Sequence, residues 1–514
     1  MGRGLEGQTL VHTPAADGSG QWWRTGAGWG IRGAAPFETF RPPSKDYVSF
    51  MLSRRLIALL AAPTLLLGGC QTLNSLGNHT ASTLGLADDV PRAYTASEQS
   101  EAQQTGIAVA DEPLAARAGA SVLTSQGSAV DAVTAMFFTL TTTYPVAAGL
   151  GGGGICLVSE AGGQVTEFDF LTKAPRRAGA YALPGAVKGF ATMHRLYGAL
   201  PWQRVVAPGE AFASTGFPVS QALAVRLASA QNILRLDAAM AAEFLDESGK
   251  ARLAGTEAKN VALGETLSQI RLNGADGFYK GAVAGRITAY SDAQGGGISA
   301  DELSATVALQ GPARSRGTGG FVTWLPGPRT GAGAFSASLL DNLSRRGAPA
   351  GATAAAVQQS LAAFGVAGLP GDFGSTGFAA VDASGRAAAC AVTLNGPFGS
   401  GRTATGTGVI LGATPSGSAG LASAFLTPVI AISNGAVGLA GVGAGGPNGT
   451  AAAITAVLEA AGGRRLGKRG DLRGTGAAPY DTVNMISCDA QACVASTDPG
   501  AHGAGAVGED LTLR

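Results

Sequence analysis

The sequence predicts an α+β protein in which layered β-sheets are covered by helices. Segments with helical and strand-like periodicity alternate between residues 111 and 200, and strand-like segments dominate after Gly374. No strict strand–helix–strand repeat is present, so layered sheets are favoured over a wound parallel sheet. The 514 residues, of which 46% are hydrophobic, are enough for a large core or for two cores.

Each element can be placed from its periodicity and its flanking turn residues. Helices are predicted at 113–123, 129–141, 185–197 and 449–461, and helical patterns with Gly and Pro breaks dominate 205–370. Strands are predicted at 155–159, 165–170, 378–381, 387–394, 409–411, 428–432, 437–442, 483–487 and 492–496. The turn at 383–386 joins two of these strands into a hairpin.

The charge and histidine content exclude several classes of protein. With 36 basic and 35 acidic side chains, the chain has no broad field that would attract nucleic acid. The histidines are scattered and show no metal-ligand spacing, so neither a metal centre nor a cofactor is implied. Their scarcity also argues against a Ser-His-Asp hydrolase. These histidines are His12, His79, His194 and His502.

The segment from Met51 to Cys70 has the pattern of a lipoprotein signal peptide. Arg54 and Arg55 precede an apolar run that is short for a membrane span and ends in small residues before Cys70. An ordinary cleaved signal or a short buried helix is the alternative. We therefore expect residues 51–69 to be removed and residues 70–104 to form a lipidated tether. Residues 1–50 are interpreted as an error in the gene start or a disordered extension.

Lipidation at Cys70 predicts a periplasmic protein held to a membrane by its lipid anchor. Gln71 after the cysteine favours the outer membrane. In this oxidising compartment a hairpin disulfide is possible between Cys488 and Cys493, which flank a turn. Cys156 and Cys390 lie in apolar strand-like runs and are interpreted as small buried hydrophobes.

The segment that carries chemistry begins at Gly374-Ser375-Thr376. If the hairpin turn centres between Ser384 and Gly385, Ser375 lies opposite Leu394 and between Thr393 and Asn395, on a strand about 5 Å away. In the absence of a histidine base, a serine hydroxyl can be activated by its own α-amino group once the preceding peptide bond is broken.

These residues resemble the γ-glutamyltranspeptidase family, whose nucleophile opens a similar strand and is freed by autocatalytic cleavage. The resemblance implies cleavage between Gly374 and Ser375, with Ser375 as the nucleophile. Thr376 is the neighbouring substrate-binding candidate, or the nucleophile itself if the register shifts by one residue. Thr393 matches a threonine that hydrogen-bonds the nucleophile, and Asn395 matches an asparagine that helps to hold substrate.

The resemblance extends from about residue 106 to residue 508. Gly445 and Gly446 match two glycines whose backbone N–H groups stabilise an oxyanion. The glycine run 149–154 also fits the family, whereas a dinucleotide-binding loop would need a strand–turn–helix context that is missing. The family implies a four-layer αββα sandwich of the N-terminal nucleophile hydrolases. A large fragment, 105–374, and a small fragment, 375–514, would remain intertwined after cleavage.

Substrate recognition departs from the family pattern. Leu171 stands where the family has an arginine that grips the γ-glutamyl α-carboxylate, and residues 412–424 contain no carboxylate to hold the α-amino group. Each lost charge-assisted hydrogen bond is worth about 1.5–3 kcal/mol. The short segment 412–424 also suggests that a lid is missing. Four basic residues offer a substitute cation, although solvated surface charges are the favoured interpretation of Lys173, Arg176, Arg177 and Arg402.

The resulting functional prediction is a self-processing amidohydrolase or acyltransferase that works through an acyl-enzyme. Its substrate would be a small amide, such as a γ-glutamyl compound, or a short peptide, with altered donor specificity. Hydrolysis is favoured over transpeptidation because an open pocket admits water. The alternative is an uncleaved, inactive lipoprotein that keeps the fold and binds a ligand or partner.

Overall fold

The computed structural model describes residues 96–160, 163–346, 352–366, 368–464, 480–490 and 492–508. The predictions for the first 50 residues, the signal peptide, Cys70 and the tether up to residue 95 lie outside the described residues. No helix in the described ranges is both long enough and apolar enough to cross a bilayer.

The strands are named here in chain order. They are β1 (Gly106–Ala110), β2 (Gly153–Ser159), β3 (Val165–Asp169), β4 (Phe217–Pro218), β5 (Glu257–Ala258), β6 (Leu309–Pro312), β7 (Arg314–Thr318), β8 (Phe321–Leu325), β9 (Ser375–Asp382), β10 (Ala387–Thr393), β11 (Thr403–Ala404), β12 (Val409–Ile410), β13 (Thr427–Ser433), β14 (Ala436–Ala444), β15 (Thr482–Cys488), β16 (Cys493–Thr497) and β17 (Ala504–Ala506).

The helices are identified by their bounds. They are Ala96–Thr105, Pro113–Thr124, Ala129–Thr143, Ala186–Tyr197, Trp202–Thr215, Gln221–Leu234, Ala238–Phe244, Val261–Asn273, Asp276–Tyr279, Gly281–Ala293, Ala300–Ser304, Gly331–Arg345, Ala352–Ala363, Gly417–Leu421 and Pro447–Ala461, with short 3-10 turns at Ala422–Phe425 and Pro499–Ala501.

Two antiparallel sheets form the centre of the described part of the chain. The first has the strand order β17-β1-β9-β10-β2-β3-β6, and the second has the order β16-β15-β14-β13-β8-β7. Alternate side chains of the two sheets share one apolar core. Ile107 and Val381 from the first sheet pack there with Val442 and Ile486 from the second. The sheets are therefore stacked face to face.

Helices cover the outer face of each sheet. Phe378 of β9 points away from the inner core and packs with Phe137 and Phe190 from two helices. On the far side, Leu439 of β14 packs with Ile454 of helix Pro447–Ala461. The period-2 alternation of side chains thus separates an inner core from two outer ones. The predicted four-layer αββα fold is confirmed.

Two regions contain elements that the sequence did not predict. Strands β6, β7 and β8 lie within the region where helices were expected to dominate. Their sequences escape detection because β7, Arg-Ser-Arg-Gly-Thr, has mostly exposed side chains and no apolar alternation. The expected tether up to residue 104 also ends in a helix, Ala96–Thr105, whose sequence Ala-Ser-Glu-Gln-Ser-Glu-Ala-Gln-Gln-Thr combines several good helix formers with little hydrophobic signal.

The register of the β9–β10 hairpin differs by one residue from the prediction. Ser375 lies opposite Thr393, not Leu394. The loop contains three residues because Asp382 N donates to Arg386 O at 2.9 Å, and Gly385 takes a left-handed conformation with φ +75°. The pairing therefore centres on Ser384 rather than between Ser384 and Gly385.

Cys156 and Cys390 form a disulfide, so their interpretation as free buried hydrophobes is wrong. They lie directly opposite each other on β2 and β10, an adjacency that the sequence did not indicate. Cys488 and Cys493 are also bonded, across the β15–β16 hairpin, as their spacing allowed.

Glu243, in helix Ala238–Phe244, should make stability depend on pH. Its side chain is buried and accepts a hydrogen bond from Asn260 Nδ2 at 2.7 Å, and burial raises the pKa of its carboxyl to about 8. Because the folded-state pKa is raised, this group's contribution is fully present below its unfolded pKa of about 4.3 and is lost as pH rises through 8. As pH rises from 5 to 8, the free energy of unfolding should fall less for Glu243→Gln than for wild type. The expected difference between the two decreases is on the order of 1–3 kcal/mol. Denaturant titrations at each pH test this. Parallel pH curves for the two proteins would contradict it.

Candidate active site

Ser375 is the first residue of β9 and is fully buried between the two sheets. Its Oγ accepts a hydrogen bond from the backbone N–H of Gly445 at 2.9 Å. Gly445 follows β14, on the second sheet, immediately before the N-terminus of helix Pro447–Ala461. The hydroxyl of one sheet is therefore held by a backbone donor of the other.

Gly445 and Gly446 have backbone conformations and surroundings that only glycine fits. Gly445 has φ +86°, and a Cβ there would lie 1.7 Å from Tyr480 O. A Cβ on Gly446 would lie 2.5 Å from Asp481 Oδ1. Both residues precede a helix whose N-terminal N–H groups and dipole favour negative charge. This turn can therefore stabilise an oxyanion beside Ser375 Oγ.

The peptide bond before Ser375 is held by residues of the neighbouring strand and its continuation. The carbonyl oxygen of Gly374 accepts hydrogen bonds from Thr393 Oγ1 at 2.9 Å and from Leu394 N at 3.1 Å. Gly374 has φ +55°, and a Cβ there would lie 1.9 Å from Gly396 O. Thr393 was expected to bond the nucleophile. In this structure its hydroxyl instead faces the carbonyl that a self-cleavage reaction would attack.

Thr376 occupies a different environment from Ser375. Its hydroxyl donates to Asp111 Oδ2 at 2.6 Å, and Asp111 also accepts from Thr482 Oγ1 at 3.0 Å and Asn484 Nδ2 at 2.7 Å. Burial raises the pKa of the Asp111 carboxyl, although these hydrogen bonds act in the opposite direction. The Asp111 cluster joins β9 to the second sheet. Sequence reasoning missed it because its members are far apart in the chain.

Asn395 follows β10 and is buried, with φ +65°. Its Nδ2 group donates to Thr172 Oγ1 at 2.8 Å and to Ala413 O at 2.7 Å, and its backbone N donates to Thr393 Oγ1 at 2.9 Å. Both amide hydrogens are thus engaged within the protein. A substrate contact from this side chain would have to use Oδ1.

Part of the chain is similar in sequence to known proteins. The model of the family described as gamma-glutamyltranspeptidase matches residues 115–363. The chain is 27% identical over 303 residues to the glutathione hydrolase proenzyme of Escherichia coli K12, covering 55% of this chain and 51% of that protein. It is 29% identical over 269 residues to the acylase ACY 1 proenzyme of Pseudomonas sp. SE83, covering 46% and 48%. The resemblance to the γ-glutamyltranspeptidase family is therefore confirmed over residues 115–363.

These matches cover only part of the chain. The chain spans about half the length of the curated relatives named here, and the match to the γ-glutamyltranspeptidase model ends before Ser375. A solved structure supports the fold alone: the cephalosporin acylase from Bacillus halodurans, at 17% identity, aligns with a TM-score of 0.62 and covers 82% of this chain and 97% of that one.

The glycine run of the γ-glutamyltranspeptidase pattern serves close backbone packing here. A Cβ on Gly151 would lie 2.2 Å from Ile410 O, and one on Gly153 would lie 2.4 Å from Thr172 N. Gly152 O accepts from Gly185 N at 3.0 Å. The run therefore lets the segments around β12 and Thr172 pack closely against the backbone of residues 151–153.

Three of the four basic residues considered as substitutes for the missing family arginine are bonded to other groups of the chain. Leu171, at the arginine's position, is half-buried and packs against the inner core. Lys173, Arg176 and Arg177 are exposed, and the two arginines pair with Glu302 and Asp292. Arg402 donates to Leu236 O at 2.9 Å. The surface-charge interpretation of Arg176 and Arg177 agrees with these contacts.

Arg226 is a buried cation near Ser375 that the sequence prediction missed. It is 2% exposed, and its Nη2 donates to both carboxylate oxygens of Asp372 at 2.7 and 2.8 Å. Asp372 Oδ1 in turn accepts from Gly374 N at 2.8 Å, so two hydrogen bonds link Arg226 to the residue before Ser375. A signal was present in the sequence, since Arg226 lies on the apolar face of helix Gln221–Leu234, between Leu223 and Leu227.

Proposed function

We propose that this chain is a self-processing amidohydrolase or acyltransferase of the γ-glutamyltransferase type that is cut between Gly374 and Ser375. The observation that carries the proposal is the position of Ser375 Oγ, 2.9 Å from the N–H of Gly445 at a helix N-terminus. The hydrogen bond from Thr393 Oγ1 to the Gly374 carbonyl supports it, because that donor polarises the bond to be cut.

Self-cleavage needs only water besides the chain itself. Ser375 Oγ attacks the carbonyl carbon of Gly374, the C–N bond breaks, and the hydroxyl proton passes to the departing Ser375 nitrogen. Water then hydrolyses the resulting ester. The products are a carboxylate on Gly374 and a free α-amino group on Ser375, which is the general base for later turnovers.

Turnover on a donor uses the same hydroxyl and the glycine turn. The α-amine of Ser375 accepts the Oγ proton as the oxygen attacks an amide carbonyl, and the N–H groups of Gly445 and Gly446 stabilise the developing oxyanion. Water or an amine resolves the acyl-enzyme. The donor differs from a γ-glutamyl group. With Leu171 in place of the family arginine, the α-carboxylate has no cation to bind it, and the carboxylate-free segment 412–424 offers no partner for the α-amino group.

A denaturing gel with N-terminal sequencing separates the enzyme from the inactive binding module. The enzyme gives two fragments from purified protein, the smaller beginning Ser-Thr-Gly-Phe, and hydrolyses at least one anilide from a panel with γ-glutamyl, glutaryl and neutral acyl groups. A single intact chain without activity on any anilide would support the binding module instead. A cut at another bond would overturn the assignment of Ser375.

We also propose that the mature protein begins at an acylated Cys70. It would lie in the periplasm, held by this lipid to the outer membrane. Residues 51–70 support this, with two arginines, an apolar run and Leu-Gly-Gly-Cys at the end. We expect Cys70→Ser to move the protein from the membrane fraction to the soluble fraction. Wild-type protein should incorporate a palmitate analogue at Cys70 and stay with the membranes. Unlabelled, soluble wild-type protein would contradict the anchor.

A further inference from the structure

In the uncut chain, residues 372–374 fill the space beside the proposed nucleophile. The ring of Phe373 packs edge-on against Phe425 with centroids 5.0 Å apart, and it covers Gly446, where a Cβ would lie 3.2 Å from the ring. Asp372 is paired with Arg226. The segment Asp372–Phe373–Gly374 therefore occupies the volume between a buried guanidinium and the glycine turn.

The guanidinium of Arg226 is held in an environment suited to a bound anion. It lies over the rings of Tyr144 and Tyr480, with its central carbon 5.6 and 4.9 Å from their centroids. Its Nη1 donates to Tyr144 OH at 3.3 Å, while its Nε has no hydrogen-bond partner among the described residues. The carboxylate of Asp372 supplies the counter-ion of this guanidinium, and the stacked rings and the unused Nε donor complete its surroundings.

Cleavage between Gly374 and Ser375 changes the charges beside Arg226 and the covalent attachment of residues 372–374. Asp372, Phe373 and Gly374 would become the free end of the large fragment, and the new carboxylate of Gly374 would lie close to that of Asp372. Two neighbouring carboxylates repel each other, and the covalent link that holds the segment beside Ser375 is gone. If the segment leaves, the buried guanidinium of Arg226 loses the carboxylate that pairs with it, which is unfavourable unless another anion takes that place.

We propose that Arg226 binds the carboxylate of the acyl donor in the cut protein, in the place that Asp372 occupies before cleavage. This inference rests on the proposed function. The donor class is an amide whose acyl group carries a carboxylate, such as a glutaryl or succinyl amide. A planar guanidinium can bind both oxygens of a carboxylate, as Arg226 already does with Asp372. Before cleavage, the protein's own Asp372 blocks the site.

Matched anilides test the charge preference directly. Glutaryl p-nitroanilide and its neutral isostere, 4-carbamoylbutanoyl p-nitroanilide, differ only in the carboxylate. We expect wild type to prefer the glutaryl compound at least tenfold in kcat/KM, and Arg226→Gln to reduce that ratio at least tenfold, mostly through KM. Arg226→Lys should keep part of the preference. Equal kcat/KM values for the two donors in wild type would overturn the proposal.

A second measurement covers the case in which Arg226→Gln does not fold or cut. The hexapeptide Leu-Pro-Gly-Asp-Phe-Gly, residues 369–374, should inhibit the cut wild-type protein competitively, and the version with Asn in place of Asp should be at least tenfold weaker. Equal inhibition by both peptides, or none by either, would also overturn the proposal. If wild type hydrolyses the neutral anilide without preference, only the role of Arg226 fails. If it stays uncut and hydrolyses nothing, the proposed function fails.

Discussion

Ser375→Ala is expected to accumulate as a single uncut chain. Removal of the hydroxyl takes away the atom that attacks the Gly374 carbonyl, and loss of a nucleophile in a comparable site lowers the rate by at least about 10³-fold. Ser375→Thr keeps a hydroxyl at the same position and should still be cut. The measurement is the fraction of intact chain on a denaturing gel, followed over days after purification.

Thr376→Val is the matched control for the register of the nucleophile. It removes the neighbouring hydroxyl, which donates to Asp111 at 2.6 Å, without touching Ser375. The variant should be less stable, because buried Asp111 loses a donor, but it should still yield a small fragment that begins with Ser375. An uncut Thr376→Val variant that melts cooperatively, together with a cut Ser375→Ala variant, would move the nucleophile to Thr376.

Local sequence patterns were sufficient for much of the fold. Strands such as β9 and β14 contain short apolar runs bounded by turn residues, so they could be recognised from the local sequence. The resemblance to the γ-glutamyltranspeptidase family identified the glycines of the oxyanion turn after β14, because that glycine motif is local. By contrast, the exposed strand β7 lacks apolar alternation, and its sequence resembles a loop.

Contacts between distant segments could not be predicted from local patterns. Arg226 and Asp372 are 146 residues apart, and their pairing depends on how one outer helix packs beside the end of β9. The Cys156–Cys390 disulfide, with a separation of 234 residues, depends on β2 and β10 being neighbours. Such tertiary neighbours are set by the packing of the whole sandwich, so a single sequence carries little signal for them.

Thr393→Val should slow self-cleavage by about 10²-fold without abolishing it. The substitution keeps the shape of the side chain but removes the hydroxyl that donates to Gly374 O at 2.9 Å. Loss of one donor to a developing oxyanion typically costs about 10²–10³ in rate. Leu394 N, at 3.1 Å from the same oxygen, still donates, and it accounts for the remaining rate.

The variant also leaves Asn395 N without its acceptor, since that N–H donates to Thr393 Oγ1 at 2.9 Å. A destabilisation of about 1–3 kcal/mol is therefore expected alongside the slower cut, and thermal melting measures it separately. Thr393→Ser retains the hydroxyl and is the control: it should cut at close to the wild-type rate. The decisive comparison is the half-time of precursor loss for the Val and Ser variants at a temperature where both are folded. If the two half-times are equal, the Thr393 hydroxyl does not activate the scissile carbonyl, and the polarisation must come from the backbone of Leu394 alone.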